Sequence, residues 1–352
     1  MAGLMFEHGG NVHKAECLLG RRVVDFSANI NPLGLPERIK KRIRDDLGSV
    51  LNYPDPEARE LTRRIARYWG IGEDNVLVGN GSIELIYLIV SAFKPGTALV
   101  TAPDFSEYER ALRSVKSRMS YLKLIEKDAF KADLTRTGVS DIFFFSNPNN
   151  PTGSMVAGRS DGIERLPNKT VVVDEAFMDF SSDEKRLTMI EKSVRHKKVI
   201  VLRTFTKFFA MPGLRAGYLT AHKDVVRMLK RHQAPWSVNS LAQRAARYIL
   251  DDRTYIAETK ALIKKERDFL SGELTATEGL KALPSDVNFM LIKIERRGVT
   301  SRDLTEGLFR KGILVRDCSN FRGLSGRFIR VAVKKRSENV QLISSLRALL
   351  KK

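Results

Sequence analysis

The sequence predicts an α/β protein: a large domain with a mostly parallel central sheet, followed by a smaller α+β C-terminal domain. Three observations carry that prediction. Between Asn75 and Leu202, short and nearly continuous apolar runs alternate with helical patterns, as strands buried on both faces do. After about Trp236 the pattern changes to long helical segments followed by short strands. The 352 residues exceed what one small domain uses and leave ample room for a core.

The elements follow in order. Residues 1–44 are rich in Gly, Pro and Asn with little periodicity, and are expected to pack near the active site and the small domain. The large domain is expected over 45–236. Its strands read as Asn75–Val78, Ala98–Thr101, Ile142–Phe145, Thr170–Val173 and Val199–Leu202, each followed by a cluster of unusual residues. In such sheets ligands collect at the carboxyl ends of the strands, so these clusters are expected to converge. The small domain is expected over 237–352: helical from Ser240 to Leu274, strands at Asn288–Ile294, Gly312–Val315 and Arg327–Val333, and a last helix over Ser337–Leu350.

Hydrophobic content of 43% and charged content of 29% are ordinary for a globular protein, and no apolar run reaches the length of a membrane span. The N-terminus has no long apolar core of a signal peptide, so a cytoplasmic protein is expected, with no membrane partner. Cys17 and Cys318 lie far apart and imply neither a disulfide framework nor a metal site. The net charge of +20 is open to three readings: nucleic-acid binding, an anionic substrate, or solvated basic helix faces. The charges are spread along stretches such as Glu37–Arg44 and Lys260–Arg267, with no block interleaved with aromatics. That favours solvated faces and no nucleic-acid partner.

Lys207 follows the last strand of the large domain, with Thr204 and Thr206 before it and Arg215 after it. Such an amine suits an aldehyde cofactor held as a Schiff base, with hydroxyls and a cation for its phosphate. Asp174 ends a run of three valines, either as a helix cap or structural ion pair, or as partner to a pyridinium nitrogen. Asn147-Pro148-Asn149-Asn150-Pro151-Thr152-Gly153 has two Asn-Pro steps, more than a tight turn requires. Gly81-Ser82 opens a helix and frees backbone amides for an anion. Phe105 and Tyr108 follow the next strand, where an aromatic either stacks on a flat ring or packs in the core.

Taken in order, these elements resemble the class I/II aminotransferase family of fold-type-I pyridoxal-phosphate enzymes. The resemblance spans nearly the whole chain. It implies pyridoxal 5'-phosphate as cofactor, Lys207 as the Schiff-base lysine and Asp174 as the pyridinium partner. It implies that Asn150 contacts the ring oxygen, that Tyr108 stacks on the ring, and that Gly81, Ser82, Thr204, Thr206 and Arg215 hold the phosphate. Tyr53 matches a tyrosine that reaches the phosphate of the neighbouring subunit, which implies a homodimer. Phe177 departs from the pattern, since many members carry a tyrosine there.

The chain ends discriminate within the family. His8-Gly9-Gly10-Asn11, the run Asp25–Gly34, Arg316-Asp317-Cys318-Ser319-Asn320 and the run Arg327–Val333 resemble the threonine-phosphate-decarboxylating branch of cobalamin biosynthesis. They are less like the histidinol-phosphate aminotransferase branch. That resemblance implies a small phosphorylated amino acid as substrate. It makes Arg316 and Arg330 the arginines for its carboxylate, a task suited to bidentate guanidinium forks. His8 and Asn31 are the further candidates on the substrate side.

Overall fold

The computed structural model describes residues 9–351. After the short strand β1 (Val24–Asp25), the large domain holds β2 (Val76–Gly79), β3 (Thr97–Ala102), β4 (Arg118–Lys123), β5 (Ile142–Ser146), β6 (Thr170–Asp174), β7 (Val199–Thr204) and β8 (Gly217–Thr220). They form one sheet in the order β2-β8-β7-β6-β5-β3-β4. Strands β3 to β7 pair in parallel, whereas β8 runs antiparallel to both β2 and β7. The predicted mostly parallel sheet is therefore present.

Two strands of this sheet escape the sequence pattern. β4 is an edge strand whose residues alternate in exposure, so it lacks a continuous apolar run. β8 has only four residues, beginning at a glycine. Gly217 has no freedom to be larger: a Cβ there would stand 2.7 Å from the Ser82 nitrogen and 2.9 Å from the Arg203 carbonyl oxygen.

Helices pack on both faces of the sheet, except that Ala15 and Leu19 of the first pack with Phe309 and Leu314. In chain order they are α1 (Val12–Leu19), α2 (Glu37–Asp45), α3 (Arg59–Trp69), α4 (Gly81–Phe93), α5 (Ser106–Ser114), α6 (Glu184–Leu187), α7 (Ile190–Arg195) and α8 (Lys223–Lys230). Leu85, Ile86, Ile89 and Val90 of α4 pack with Ile142, Phe144, Val172 and Ile200 of the central strands. Each such fully buried side chain contributes about 1.5–3 kcal/mol.

Arg203 on β7 is the unexpected core residue, 1% exposed. Its guanidinium meets Glu175 at 3.0 Å, Glu184 at 3.1 Å and Asp179 at 3.2 Å, and lies 4.8 Å over the Trp69 ring. A buried ion is tolerated only with such partners. The cluster holds β7 against the segment that follows β6, directly behind the site.

The rest of the chain adds α9 (Ser240–Ile249), α10 (Arg253–Thr275), β9 (Leu280–Ala282), β10 (Phe289–Ile294), α11 (Ser301–Arg310), β11 (Ile313–Leu314), β12 (Arg316–Asp317), β13 (Phe328–Ala332) and α12 (Arg336–Leu350). The helical stretch after Ser240 is thus two helices, parted at Asp252, whose side chain caps α10 by accepting from the Tyr255 N–H at 3.0 Å. β12, β13, β10 and β9 make an antiparallel sheet in that order. The N-terminal segment joins this part through β1, which pairs in parallel with β11. No described helix is long and apolar enough to cross a membrane.

Candidate active site

The strand ends of the large sheet converge on a cavity of about 490 Å³. Ser82, Tyr108, Asn150, Asp174, Thr204, Thr206, Lys207, Arg215, Arg316 and Arg330 all line it. It is bounded by the ends of β3, β5, β6 and β7 on one side and by β12 and β13 on the other. The N-terminal segment closes it with Ser27 and Asn29.

Lys207 sits three residues beyond β7. Desolvation, with the nearby charges of Arg330 and Arg215, lowers its amine to about 8, against the pull of Asp25 and Asp174. A lysine lowered this far is a readier nucleophile than an ordinary one, since a larger share of it is unprotonated near neutral pH. Asp174 closes β6 with its carboxylate buried. Burial raises it above the ordinary range, although the Tyr108 hydroxyl, the Ala176 N–H and the Lys207 charge work the other way. A buried carboxylate in that condition accepts a cationic partner readily.

Tyr108 differs from expectation. Its ring is fully buried and stacked on Phe144 at 5.3 Å, so it has no free face for a ligand ring. Its hydroxyl instead donates to Asp174 Oδ2 at 2.8 Å. Phe105, half-buried and three residues earlier at the mouth of α5, lines the cavity. The geometry of the helix start sets Phe105 against the cavity and the Tyr108 hydroxyl against Asp174. Tyr108→Phe is expected to keep the fold and bound cofactor while lowering kcat roughly tenfold, since hydrogen bonds to charged groups are worth about 1.5–3 kcal/mol. Steady-state kinetics beside a cofactor titration checks this.

Gly81 does not line the cavity but permits it. Its φ is +79°, and a Cβ would stand 2.4 Å from an Arg215 nitrogen. The guanidinium of Arg215 therefore lies against the start of α4, and its Nη1 donates to Thr206 Oγ1 at 3.4 Å. Thr204 Oγ1 donates to Thr206 Oγ1 at 2.9 Å. Hydroxyls, a helix N-terminus and a guanidinium thus gather in one corner, which suits a phosphate.

Asn150 is oriented unambiguously. Its Oδ1 accepts from Arg330 Nη1, and a guanidinium can only donate, so the NH₂ group faces elsewhere. That amide has no partner among the described residues and is available to an oxygen acceptor. Asp104 was not foreseen: it ties the Asn150 loop to β3, accepting from the Ser146 N–H at 3.0 Å and from the Ser146 hydroxyl. Ser146 Oγ in turn accepts from the Asn150 N–H at 3.0 Å. Burial pushes the Asp104 carboxyl up to about 7 despite its hydrogen bonds to Ser146, Thr101 and Phe105.

Arg316 and Arg330 are direct cross-strand neighbours on β12 and β13, both buried. Like charges directly opposite each other destabilise a sheet. Arg330 is fixed by Asn150 and by donating from Nη2 to the Ser27 carbonyl at 2.8 Å, and its buried Nε has no partner. Desolvation and Arg316 lower its guanidinium to about 10. Arg316 Nη2 donates to Asn320 Oδ1 at 2.8 Å, and its guanidinium lies 4.9 Å over Phe321. A pair so costly to bury marks a place for an anion.

Asn31, expected on the substrate side, lies elsewhere. It does not line the cavity; its N–H donates to the Lys207 carbonyl at 3.1 Å, and its Nδ2 lies 2.8 Å from Phe208 O, Tyr255 Oη and Thr259 Oγ1. It braces the lysine loop against α10. Asn29, two residues earlier, lines the cavity with a buried Oδ1 that lacks a partner. An extended segment alternates its side chains, which the sequence pattern alone could not phase. Tyr53 is 81% exposed, lies 4.9 Å from the Trp236 ring, and stands outside the cavity. His8 lies outside the described residues. Phe177 lines the cavity with Lys207 Nζ 5.9 Å from its ring centroid, and supplies no hydroxyl.

These residues fit pyridoxal phosphate: a buried carboxylate, a free amide donor, a lysine of lowered basicity, an aromatic face and a phosphate corner. The chain belongs to the class I and II aminotransferase family, whose family model matches residues 21–346. Within that class it is similar to a Caldanaerobacter subterraneus subsp. tengcongensis protein provisionally named threonine-phosphate decarboxylase. The two are 39% identical over 98% of this chain and 94% of the relative. It is 35% identical to the threonine-phosphate decarboxylase of Salmonella typhimurium, over 97% of this chain and 96% of that one. The crystal structure of L-threonine-O-3-phosphate decarboxylase from Porphyromonas gingivalis superposes with a TM-score of 0.83 at 26% identity, covering 93% of this chain and 98% of that chain.

Proposed function

We propose that this protein is a pyridoxal-phosphate-dependent decarboxylase that converts L-threonine phosphate to aminopropanol phosphate and carbon dioxide, in cobalamin biosynthesis. One observation carries the reading: two buried arginines, Arg316 and Arg330, face the substrate side in addition to Arg215 at the phosphate corner. A substrate with both a carboxylate and a phosphate matches two such groups. The similarity to named threonine-phosphate decarboxylases over nearly the whole chain supports the same substrate.

When bound, pyridoxal phosphate supplies the electron sink for the pair left on Cα. Asp174, held by Tyr108, fixes a proton on the ring nitrogen. Asn150, oriented by Arg330, donates to the ring oxygen. Ser82, Thr204, Thr206 and Arg215 hold the phosphate. Arg316 and Arg330 receive the two anionic ends of the substrate and so set which bond to Cα is strained. The Cα–carboxylate bond breaks, carbon dioxide leaves, and the pair stays on the carbon side. Lys207 Nζ then delivers a proton to Cα, a task for an amine lowered to about 8.

A second reading rests on the 36% identity to the histidinol-phosphate aminotransferase of Caldanaerobacter subterraneus subsp. tengcongensis, over 92% of both chains. The readings separate on acceptor dependence. Incubation with threonine phosphate alone is expected to give aminopropanol phosphate continuously; product formed only in the presence of an oxo acid acceptor would favour the aminotransferase.

The reading includes a cytoplasmic homodimer in which Tyr53 reaches the phosphate corner of the neighbouring subunit. The exposure of Tyr53 with Leu47, Val50, Leu51 and Trp236 supports an interface there. Mixing Tyr53→Phe and Lys207→Ala subunits tests it. Hybrid dimers are expected to hold one fully intact site, so that mixing raises activity per Lys207-bearing subunit above that of Tyr53→Phe alone, and sedimentation is expected at twice the chain mass. A monomer with full activity would refute the shared site.

A further inference from the structure

Apart from the catalytic cavity, α2, α3, α9 and the start of α10 line an open crevice of about 850 Å³. It shares no lining residue with the catalytic cavity. Seven arginines line it: two from α2, three from α3, one from α9, and Arg253 at the first position of α10. Three carboxylates, Glu60, Asp251 and Asp252, also line it, which leaves four positive charges in excess. These acids pair with Arg247, Arg64 and Arg38 respectively, and Arg63 pairs at 3.4 Å with Glu73 outside the crevice, so three arginines remain unpaired among the described residues.

The remaining cations stand where helices disfavour them. Arg38 and Arg42 are an i, i+4 pair of like charge on α2, and Arg63 and Arg67 are another on α3; such pairs destabilise a helix. Arg253 opens the 23-residue α10, at the end where the helix dipole repels a cation. Arg42, Arg67 and Arg253 are exposed and have no ion-pair partner among the described residues. The guanidiniums of Arg42 and Arg247 lie 4.7 Å and 4.8 Å from the Tyr248 ring centroid, which holds both in place. Several small local costs thus fall on one concave surface, and a bound anion would offset all of them together.

We propose that this crevice binds a small polyphosphate anion, a linear triphosphate chain free or carried by a nucleotide. The volume is that of a small-molecule site rather than of a macromolecular track. A triphosphate chain carries on the order of four negative charges, enough to meet the three unpaired arginines. Arginine forks are suited to phosphate oxygens.

The test uses the cofactor-loaded full chain, whose phosphate corner the cofactor fills, and titrates tripolyphosphate, ATP and orthophosphate calorimetrically at low salt. Tripolyphosphate is expected to bind once per chain, and more weakly as salt screens the charges. ATP binding as tightly as tripolyphosphate assigns recognition to the phosphate chain, and tighter ATP binding adds the nucleoside; both support the site. The variant Arg42→Ser/Arg67→Ser/Arg253→Ser is expected to lose about tenfold or more in affinity, given the strength of charge-assisted hydrogen bonds, with turnover of threonine phosphate unchanged. Absence of tripolyphosphate binding, equal affinity for orthophosphate, tighter binding of single-stranded RNA than of tripolyphosphate, or undiminished binding by the folded triple variant would each overturn the proposal.

Discussion

Lys207→Ala will abolish turnover, leaving less than about one part in ten thousand, because the side chain serves both as nucleophile and as proton donor. The fold will persist, since the loop is braced by Asn31 through backbone atoms that the substitution leaves in place. Borohydride treatment of the parent will attach the cofactor to the peptide containing Lys207, and the variant will show no such attachment by mass spectrometry. The ordering of effects is informative. Tyr108→Phe removes one hydrogen bond behind Asp174 and costs far less than loss of the amine itself.

Arg330→Gln will act in two ways. It removes the charge fixed between Asn150 and Ser27, so substrate kcat/KM will fall roughly a hundredfold or more, in line with about 3 kcal/mol for a buried charge partner. It also removes the foremost neighbouring charge that lowers the Lys207 amine, which stands near 8. A nearby positive charge disfavours protonation, so its removal raises the pKa. The rate at which cofactor-free protein captures pyridoxal phosphate rises with pH as the amine loses its proton, and in Arg330→Gln that rise will move to higher pH. Stopped-flow absorbance across pH 6 to 10, a range spanning roughly the lowered and ordinary lysine values, measures the shift. An unchanged midpoint would remove Arg330 from the electrostatics of the lysine.

How far the site could be read from the sequence varies residue by residue. Lys207, Asp174 and Asn150 each follow a run of buried strand residues, so their type and position at a strand end fix where they point. The central strands were legible for the same reason, being apolar on both faces. The roles of Phe105 and Tyr108 were not separable, because which of two aromatics faces a cavity depends on the pitch of α5 rather than on composition. Asn31 and Asn29 differ only in the phase of an irregular segment that no periodicity marks. The Arg203 cluster was hidden since its partners Glu175, Asp179 and Glu184 are near one another in sequence but meet Arg203 only across the fold. Arg316 and Arg330 were picked out from the chain ends, yet their cross-strand pairing, which makes them costly and therefore informative, exists only once β12 and β13 are formed.

The measurement that bears most directly on the reaction is release of labelled carbon dioxide from carboxyl-labelled threonine phosphate by the cofactor-loaded protein, with no oxo acid present. The account predicts carbon dioxide and aminopropanol phosphate in equal amounts, continuing over many turnovers. No carbon dioxide, together with glutamate formed from histidinol phosphate and oxoglutarate, would contradict it.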